Sequence, residues 1–423
     1  MKVCVVGQGG REHAFASVLR RTADVVVTPG NAGIEGSVAT PPTEIDADLY
    51  VIGPEGPLAD GLADRLRADG RLVFGPGADG AALESSKAWM KEVVSAAGVP
   101  TAAYATFDSD PAGRRAAHAY VETLPPPYVV KTSGLAAGKG VLVTDELAEA
   151  HADVDAKLDG AAFGDAGRRI VIEEGMRGPE VSLFALCDGR RAVLLPTAVR
   201  DHKRIGDGDT GPNTGGMGCV SPLADVDRAA CVELAALAFE PTLTELIGRG
   251  VDYRGVLYAG FMLTPDGPRL LEFNVRFGDP EAQVTLPRIE NDLALLLAGA
   301  AAGELTDEIR VSDDAMVCVV CAAEGYPAAP RTGDAIAGLE RAREVPGVTV
   351  FCAGVGAADD GAAPPEPLVT GGGRVLNVCG RGPDAAAARD RAYEAVRQLS
   401  WPGMTYRTDI AAAEAAAVAA LSR

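Results

Sequence analysis

The sequence predicts a multidomain protein of the α/β and α+β classes, and three observations support this. The chain has 423 residues, enough for about three domains at roughly 150 residues each. Residues 1–86 alternate short apolar runs with glycine-containing turns, which is typical of a doubly wound parallel sheet. Residues 299–423 combine strand-like and helix-like segments separated by proline-rich loops. We therefore expect an N-terminal parallel-sheet domain, a central domain at 87–298 and a small mixed α/β domain at the C-terminus.

The first segment is predicted to form four parallel strands that end at one edge of a sheet. Strands are expected at 2–7, 25–28, 49–53 and 72–75, with helices at 11–20 and 59–69. Each strand runs into a turn that contains glycine. Because ligands of such sheets bind outside the carboxyl ends of the strands, we expect a cleft for an anion or a polyol there.

A dinucleotide-binding fingerprint is missing from this edge. The stretch Gly7-x-Gly9-Gly10-x-Glu12 has a glutamate where the fingerprint needs its third glycine. The second predicted strand also lacks the acid that would bind a ribose hydroxyl. The sequence therefore argues against a nicotinamide-dependent dehydrogenase.

The composition argues against nucleic acids and membranes as binding partners. Lys and Arg total 39 against 59 Asp and Glu, a formal net charge of -20, which argues against nonspecific nucleic-acid binding because that affinity comes from basic side chains. The longest apolar stretch, near 293–302, is shorter than the ~20 residues that a membrane helix needs, and no secretory signal is visible. We expect small-molecule partners, with no nucleic acid and no membrane.

The cysteines favour a reducing compartment. Eight cysteines in 423 residues are too few for a disulfide scaffold, so the cytoplasm is the expected location. Cys318 and Cys321 form a Cys-x-x-Cys motif, but strand alternation sends residues i and i+3 to opposite faces. We expect buried structural thiols rather than a redox or zinc site.

Beyond the first segment, the pattern predicts two helices and three strands. The helices are expected at 84–97 and 384–399, and the strands at 315–320, 349–353 and 374–378.

The strongest local signal is a glycine-rich loop between two predicted strands at 128–143. Glycines let backbone amides approach phosphate oxygens closely, and Lys131 and Lys139 supply cations for the same charge. The loop is not a P-loop, since three residues rather than four separate Gly134 from Gly138, and a strand follows instead of a helix. The alternative interpretation is a flexible hairpin with two solvated lysines.

A second motif is an apolar strand at 169–172 that ends in two acids, Glu173 and Glu174. A strand end can offer backbone donors and acceptors to an adenine edge, while a carboxylate such as Glu180 accepts ribose hydroxyl protons. The alternative is a solvated strand terminus, which the sequence alone favours.

A third motif, at 270–281, alternates polar and apolar residues. Strand alternation places Glu272, Asn274 and Arg276 on one face. A carboxylate and an amide oxygen two residues apart suit Mg²⁺, which takes its other oxygens from water and nucleotide phosphates. Arg276 beside them could clamp a carboxylate or a transferring phosphoryl group. The alternative, a polar face on solvent, is disfavoured by the sustained alternation.

A fourth motif is the loop at 201–218, which has six glycines and almost no apolar anchor. Such a segment cannot be a core element, so it is either disordered or functional. The basic triplet His202-Lys203-Arg204, in a chain of net charge -20, favours function. We assign no catalytic role to His202, because lone histidines are more often structural.

In this order, the four motifs resemble the ATP-grasp superfamily and, more narrowly, the phosphoribosylamine–glycine ligases, also called glycinamide ribonucleotide synthetases. The resemblance spans essentially the whole chain, and the 209–218 loop and the Glu-Phe-Asn block at 272–274 are specific to these ligases. Further matching stretches are Gly7-Gln8-Gly9-Gly10-Arg11-Glu12-His13-Ala14, Pro29-Gly30-Asn31-Ala32-Gly33, Gly53-Pro54-Glu55, Ser86-Lys87, Arg331-Thr332-Gly333-Asp334 and Gly372-Gly373-Arg374-Val375-Leu376.

The resemblance implies a ligation of three substrates: ATP, glycine and 5-phosphoribosylamine give ADP, phosphate and glycinamide ribonucleotide, an early step of de novo purine synthesis. It implies that glycine is first phosphorylated to glycyl phosphate, since a carboxylate is a poor electrophile. Phosphoryl transfer depends on positioning and charge neutralisation. The resemblance also implies that residues 87–298 form the ATP-grasp domain, with a lid at about 100–175. The cofactor would be Mg²⁺ or Mn²⁺, and we expect a monomer.

The resemblance assigns roles to individual residues. ATP is expected to contact Lys91, Lys131, Gly134, Gly138, Lys139, Gly140, Glu173, Glu174, Met176 and Glu180. The metal ligands would be Glu272 and Asn274, and the catalytic residues Arg276 and Lys139. The phosphoribosyl group would contact Gly10, Arg11, Glu55 and Arg374. The glycine pocket would be shaped by Asp209, Asn213, Thr214, Gly215 and Gly216.

The chain departs from the family pattern in places. The segment 34–51 is shorter than usual, Thr132-Ser133 stands where the family usually has alanine and aspartate, and Trp89 where it has phenylalanine. Two alternatives stay open: an ATP-grasp ligase for another carboxylate and amine, and a nucleotide-binding protein without catalysis. The presence of Lys131, Lys139, Glu272 and Asn274 argues against the second.

Overall fold

The computed structural model describes residues 1–136, 140–160, 164–306, 308–358 and 367–421. Two of the expected ATP ligands, Gly138 and Lys139, lie outside the described residues.

The N-terminal segment forms the predicted parallel sheet. Its elements are β1 (Lys2–Gly7), α1 (Gly10–Leu19), β2 (Asp24–Pro29), β3 (Leu49–Ile52), α2 (Glu55–Ala59), α3 (Leu62–Ala68), β4 (Val73–Phe74) and α4 (Ala78–Ser85), with a 3-10 turn at Pro42–Glu44. The strand order is β2-β1-β3-β4, with every pair parallel. The single helix expected at 59–69 is wrong at its start, because Gly61 adopts a left-handed conformation (φ +73°) that separates α2 from α3.

The next segment forms a small layered unit. Its elements are α5 (Lys87–Ala96), β5 (Tyr104–Asp108), α6 (Pro111–Val121), β6 (Tyr128–Thr132), β7 (Val141–Thr144), α7 (Leu147–Leu158), a 3-10 turn (Gly164–Gly167) and β8 (Arg169–Glu174). The antiparallel sheet has the order β5-β8-β6-β7, and an apolar core of its own lies between this sheet and helices α6 and α7. Strands β6 and β7 flank the glycine-rich loop as the sequence predicted.

The helix expected at 84–97 is instead two helices. Helix α4 ends at Ser85, and the hydroxyl of Ser86 accepts a hydrogen bond from the Trp89 amide (3.3 Å), which caps α5. Ser133 supports the same helix end, since its carbonyl accepts from the Lys87 amide (2.8 Å) and its hydroxyl from the Ala88 amide (3.1 Å). Ser133, one of the departures from the family pattern, therefore anchors α5.

The remaining elements build one large antiparallel sheet and two separate two-stranded sheets, with helices around them. They are β9 (Glu180–Asp188), β10 (Ala192–Asp201), β11 (Arg204–Gly206), β12 (Thr210–Asn213), β13 (Gly218–Ser221), α8 (Arg228–Gly248), β14 (Arg254–Thr264), β15 (Gly267–Asn274), α9 (Glu281–Thr285), a 3-10 turn (Leu286–Arg288), α10 (Leu293–Ala302), β16 (Ala315–Ala322), α11 (Leu339–Arg343), β17 (Val348–Cys352), β18 (Val355–Ala357), β19 (Leu368–Thr370), β20 (Arg374–Gly382), α12 (Ala385–Val396) and α13 (Ala412–Leu421). The sheet order is β15-β14-β9-β10-β13-β16-β20-β17.

This sheet crosses from the central into the C-terminal part of the chain. Strand β13 pairs with β16 from Gly218 opposite Val319 to Ser221 opposite Met316. Backbone hydrogen bonds thereby join the two parts, which the strand pattern of the sequence does not indicate. The domain boundaries at 86 and 298 stay a prediction.

The cysteines are buried and unbridged. All eight are free, and Cys318 and Cys321 lie within the buried strand β16. Within the described part of the chain, every helix is too short or too polar to span a bilayer.

Candidate functional site

Three buried side chains form an ion-paired group between α5, β6 and β8. Glu173 lies 3.2 Å from Lys91 Nζ through Oε2 and 3.0 Å from Lys131 Nζ through Oε1. Lys91 Nζ also donates to Thr101 Oγ1 at 2.8 Å. The side chains of Lys91 and Glu173 are 0% and 2% exposed, so the carboxylate is needed to compensate buried positive charge. Glu173, expected at the adenine, thus pairs with two lysines that are predicted to contact ATP.

Lys91 has an unusual protonation equilibrium. Burial, aided by the charge of Lys131, lowers its pKa to about 8, although Glu173 opposes the shift. Lys91 is therefore charged below this pH and loses its proton as the pH rises through about 8.

This pKa predicts how ATP affinity depends on pH. The resemblance implies that Lys91 donates to ATP, and on that prediction the KM for ATP should rise about tenfold or more between pH 7 and pH 9.5, because a charge-assisted hydrogen bond is lost. Lys91→Arg should remove this dependence, since a guanidinium keeps its proton throughout the range. Steady-state kinetics across the pH range check the prediction, and a flat KM profile in the unsubstituted enzyme would contradict it.

Glu272 on β15 lies among lysines from α5, from β6 and from the connection between β10 and β11. Burial raises its pKa, but the charges of Lys203, Lys131 and Lys87 outweigh burial and bring the pKa below its usual value. Asn274, two residues on, is 9% exposed, and its side chain makes no hydrogen bond with the described part of the chain. The pair therefore offers a charged carboxylate and an uncommitted amide.

This donor set fits a hard divalent cation. The described residues contain no group of three or more histidine, cysteine or acidic side chains arranged to hold a metal. Mg²⁺ commonly takes only one or two protein oxygens beside nucleotide phosphates and water. One carboxylate and one free amide oxygen match that need, whereas a metal that requires a full protein cage would not fit.

Lys203 belongs to the same cluster and was not among the predicted site residues. Its Nζ forms an ion pair with Glu180, the residue expected at the ribose. Burial lowers the pKa of Lys203, but Glu180, Glu272 and Asp201 outweigh burial and raise it, so the lysine stays charged. Sequence reasoning noticed the basic triplet at 202–204 but had no signal to select its second member.

Arg276 connects β15 to the N-terminal segment. The strand ends at Asn274, so the alternation expected through Arg276 is wrong: the Val275 amide donates to Glu84 Oε2 (2.9 Å) instead of to a neighbouring strand. Arg276 forms ion pairs with Glu55 (3.0 Å) and Glu84 (2.7 Å). Burial would raise the pKa of Glu55, but Arg276 and Arg11 lower it to about 2.

A second arginine, Arg374 on β20, connects the loop at 201–218 to the turn after β15. It donates to the carbonyl oxygens of Gly215 and Gly216 (3.4 Å for the latter) and lies 3.5 Å from Asp279 Oδ1. A Cβ on Gly216 would lie 2.7 Å from Asp201 Oδ1, so only glycine allows this approach. The loop, the turn and the C-terminal strand therefore meet at Arg374.

The glycine-rich turn between β1 and α1 also contacts Asp279. The Arg11 amide donates to Asp279 Oδ2 (3.2 Å). The guanidinium of Arg11 donates to Glu12 Oε1 (2.6 Å) and to the Phe277 carbonyl (3.1 Å). A Cβ on Gly10 would lie 2.2 Å from Asn377 Nδ2. Gly10, Arg11 and Arg374 are thus brought together around Asp279, and the guanidinium of Arg11 already has protein partners.

The other predicted residues are more scattered. Glu174 accepts from Arg269 (2.8 Å) and the Ala103 amide (2.9 Å). Thr214 contacts the Lys203 carbonyl, whereas Asn213 is exposed on β12 and Asp209 pairs with Arg407. Gly134, Gly140 and Met176 lie beside β6, β7 and β8, respectively.

Several residues of the site carried no usable signal in the sequence. Glu84 was interpreted only as a helix residue, and Asp279 only as part of a motif. Glu12 was noted only as breaking a fingerprint. Its carboxylate fills the space beside Gly7 and Gly53, where a Cβ would approach it to 2.5 and 2.0 Å.

Comparisons with known proteins identify the family of the chain. Family models of phosphoribosylglycinamide synthetase match the chain at residues 1–84 (N domain), 85–282 (ATP-grasp domain) and 316–413 (C domain). The chain is 46% identical to the phosphoribosylamine–glycine ligase of Caulobacter vibrioides, covering 97% of both chains. It is 46% identical to that of Streptomyces coelicolor, covering 99% of this chain and 100% of the relative.

A solved structure shows the same architecture. The phosphoribosylamine–glycine ligase of Thermotoga maritima superimposes with a TM-score of 0.83 at 34% identity, covering 97% of this chain and 100% of the other. The biotin carboxylase domain of the Hydrogenobacter thermophilus 2-oxoglutarate carboxylase shares the fold, with a TM-score of 0.71 at 17% identity. These matches confirm the predicted fold class, including the central ATP-grasp domain, and the resemblance. The chain belongs to the phosphoribosylamine–glycine ligase family.

Proposed function

We propose that this chain joins glycine to 5-phosphoribosylamine at the expense of ATP, giving glycinamide ribonucleotide, ADP and phosphate through glycyl phosphate. It is a carbon–nitrogen ligase of purine biosynthesis, as its family membership indicates. The observation that carries the proposal is the cluster of Lys87, Lys131 and Lys203 around Glu272, because phosphoryl transfer needs cations fixed around the reacting phosphates.

The first half-reaction transfers the γ-phosphoryl group. A carboxylate oxygen of glycine attacks the γ-phosphorus, and ADP leaves with the bonding electrons. Lys131, held by Glu173, and Lys203, held by Glu180, neutralise the charge on the phosphates. A divalent ion held by Glu272 and Asn274 would supply further neutralisation of phosphate charge when bound.

The second half-reaction forms the amide bond. The amine of 5-phosphoribosylamine attacks the acyl carbon, phosphate leaves, and the nitrogen loses a proton. Arg276 is placed to stabilise the acyl phosphate, and in the ligand-free arrangement Glu55 and Glu84 hold its guanidinium. Binding of the anionic intermediate would exchange one of these carboxylates for the substrate.

The two other substrates would bind near the junction at Asp279. Gly10, Arg11 and Arg374 converge there and would contact the phosphoribosyl group. The backbone of Thr214, Gly215 and Gly216 would shape the glycine pocket. We also infer that the enzyme acts in the cytoplasm as a monomer, with small molecules as its only partners.

The experiment that tests the function is an omission assay. ADP release is measured with Mg²⁺, ATP, glycine and freshly generated 5-phosphoribosylamine, leaving out each component in turn. A requirement for all of them, with one glycinamide ribonucleotide formed per ADP, supports the proposal. ADP release that continues without glycine or without the amine would reject these substrates.

A further inference from the structure

The β11–β12 hairpin at 204–213 is an exposed, glycine-rich arm whose tip is held from the far end of the chain. The Gly208 amide donates to Asp409 Oδ2 at 2.8 Å. The Thr408 amide donates to Asp207 Oδ1 at 2.8 Å. Residues 407–409, which we call the C-terminal clamp, thus bond to the turn of a hairpin about 200 positions earlier in the sequence.

Arg407 is the centre of the clamp. Its Nη1 donates to Asp209 Oδ1 (2.6 Å) and to the Arg204 carbonyl (3.2 Å), so it contacts both sides of the hairpin. Its Nε and Nη2 donate to the two carboxylate oxygens of Asp409, each at 2.7 Å. The Arg407 side chain is only 1% exposed, so the contacts with Asp209 and Asp409 compensate a buried charge.

The backbone of the hairpin turn shows that this contact is specific. Gly208 and Asp209 both adopt left-handed conformations, at φ +65° and +55°. Glycine adopts this conformation freely, whereas an aspartate there costs free energy. The turn itself does not favour aspartate at position 209. The contact of the Asp209 carboxylate with Arg407 explains why an aspartate stands there.

The base of the same hairpin lies in the active site. The Thr214 amide and hydroxyl both donate to the Lys203 carbonyl at 2.8 Å, so the two ends of the hairpin are bonded together. One end carries Lys203, whose Nζ forms the ion pair with Glu180, and the other leads to Gly215 and Gly216. An isolated two-stranded hairpin is marginally stable in water, so an anchor at the tip also limits the positions open to its base.

We propose that Arg407 is a positioning residue: through Asp209 it fixes the hairpin whose base carries Lys203 and leads to Gly215 and Gly216 at the glycine pocket. The inference rests on the proposed function for its substrate, but the anchoring can be measured without turnover. It also changes the role of Asp209, which the sequence predicted as a substrate contact. Asp209 is 68% exposed and acts through Arg407.

Three variants separate positioning from stability. Arg407→Gln removes the anchor from the clamp, and Asp209→Asn removes the charge of its partner. Asp209→Gly removes the carboxylate while relieving the left-handed backbone, so its melting temperature should fall less than that of Asp209→Asn. The control is Arg381→Gln, which breaks an ion pair with Asp314 elsewhere in the C-terminal part.

Two measurements test the proposal on the full-length enzyme. Hydrogen exchange at 204–216 should become faster in all three variants and stay unchanged in the control. The KM for glycine should rise about tenfold in Arg407→Gln and Asp209→Gly, while the KM for ATP stays within about twofold because Glu180 still holds Lys203. If Arg407→Gln does not fold, the two Asp209 variants supply the test.

Two results would overturn the proposal. One is unchanged hydrogen exchange at 204–216 in the Asp209 variants, which would mean that the clamp does not hold the hairpin. The other is faster exchange with an unchanged KM for glycine, which would mean that the hairpin does not position this substrate. A wild-type enzyme that releases ADP without glycine would instead refute the proposed function.

Discussion

Replacing Glu272 by glutamine should lower kcat by about 10²- to 10³-fold while leaving the fold intact. The carboxylate lies among Lys87, Lys131 and Lys203, and its depressed pKa keeps it charged at neutral pH. Glutamine retains the size and one oxygen but loses the charge that a divalent ion needs. Losing one preorganised electrostatic contact of this kind costs about 3–4 kcal/mol in the barrier. Steady-state turnover at saturating ATP and Mg²⁺ measures the effect.

A second measurement shows whether the loss involves the metal. The variant should bind Mn²⁺ in the presence of ADP more weakly, as followed by electron paramagnetic resonance. Glu245→Gln is the matched control, because Glu245 forms only a surface ion pair with Arg249 at the C-terminal end of α8 (2.8 Å) and should leave activity unchanged. Full activity in Glu272→Gln would mean that the metal binds elsewhere.

The parallel-sheet segment could be predicted because its signals are local. Apolar runs followed by glycine turns specify strands β1–β3 one at a time, and the helices between them indicate parallel pairing. The pairing of β13 with β16 could not be predicted in this way. Both strands are short apolar runs with many possible neighbours, and about 100 residues separate Ser221 from Met316, so nothing local indicates their contact.

The residues of the candidate site also differ in whether local sequence indicates their role. Lys131, Glu272 and Asn274 could be proposed from the sequence because residue type and spacing alone suggest phosphate and metal chemistry. The ion pairs that hold the cations could not be predicted in this way. Glu173 and Glu84 act on Lys91, Lys131 and Arg276 only through tertiary contacts. Such positioning residues have ordinary local sequences, so only the assembled structure identifies them.

Glu173→Gln should be the most destabilising single substitution among these carboxylates. Glu173 lies between Lys91 and Lys131, and removing one partner from a buried ion pair costs about 3–5 kcal/mol because the remaining charge stays uncompensated. Glutamine keeps the shape, so a cavity does not contribute. A lower melting temperature and weaker ATP binding in calorimetry are the expected results. Glu174→Gln is the control for stability, since the neighbouring carboxylate is 33% exposed and its ion pair with Arg269 contributes about 1 kcal/mol at most.

The loss of stability in Glu173→Gln should depend on pH in a defined direction. In the folded protein the pKa of Lys91 is lowered to about 8 from 10.5, so between these values the unfolded chain binds more protons. This group therefore makes the folded state more stable as the pH rises through that window. Glu173 raises the pKa of Lys91, so its removal lowers that pKa further and the stabilising rise should begin below pH 8. The gap in melting temperature between Glu173→Gln and wild type should thus be wider at pH 6 than at pH 8. A gap that stays constant over this range would show that Lys91 keeps its proton without Glu173, and that the ion pair does not hold the two lysines in place.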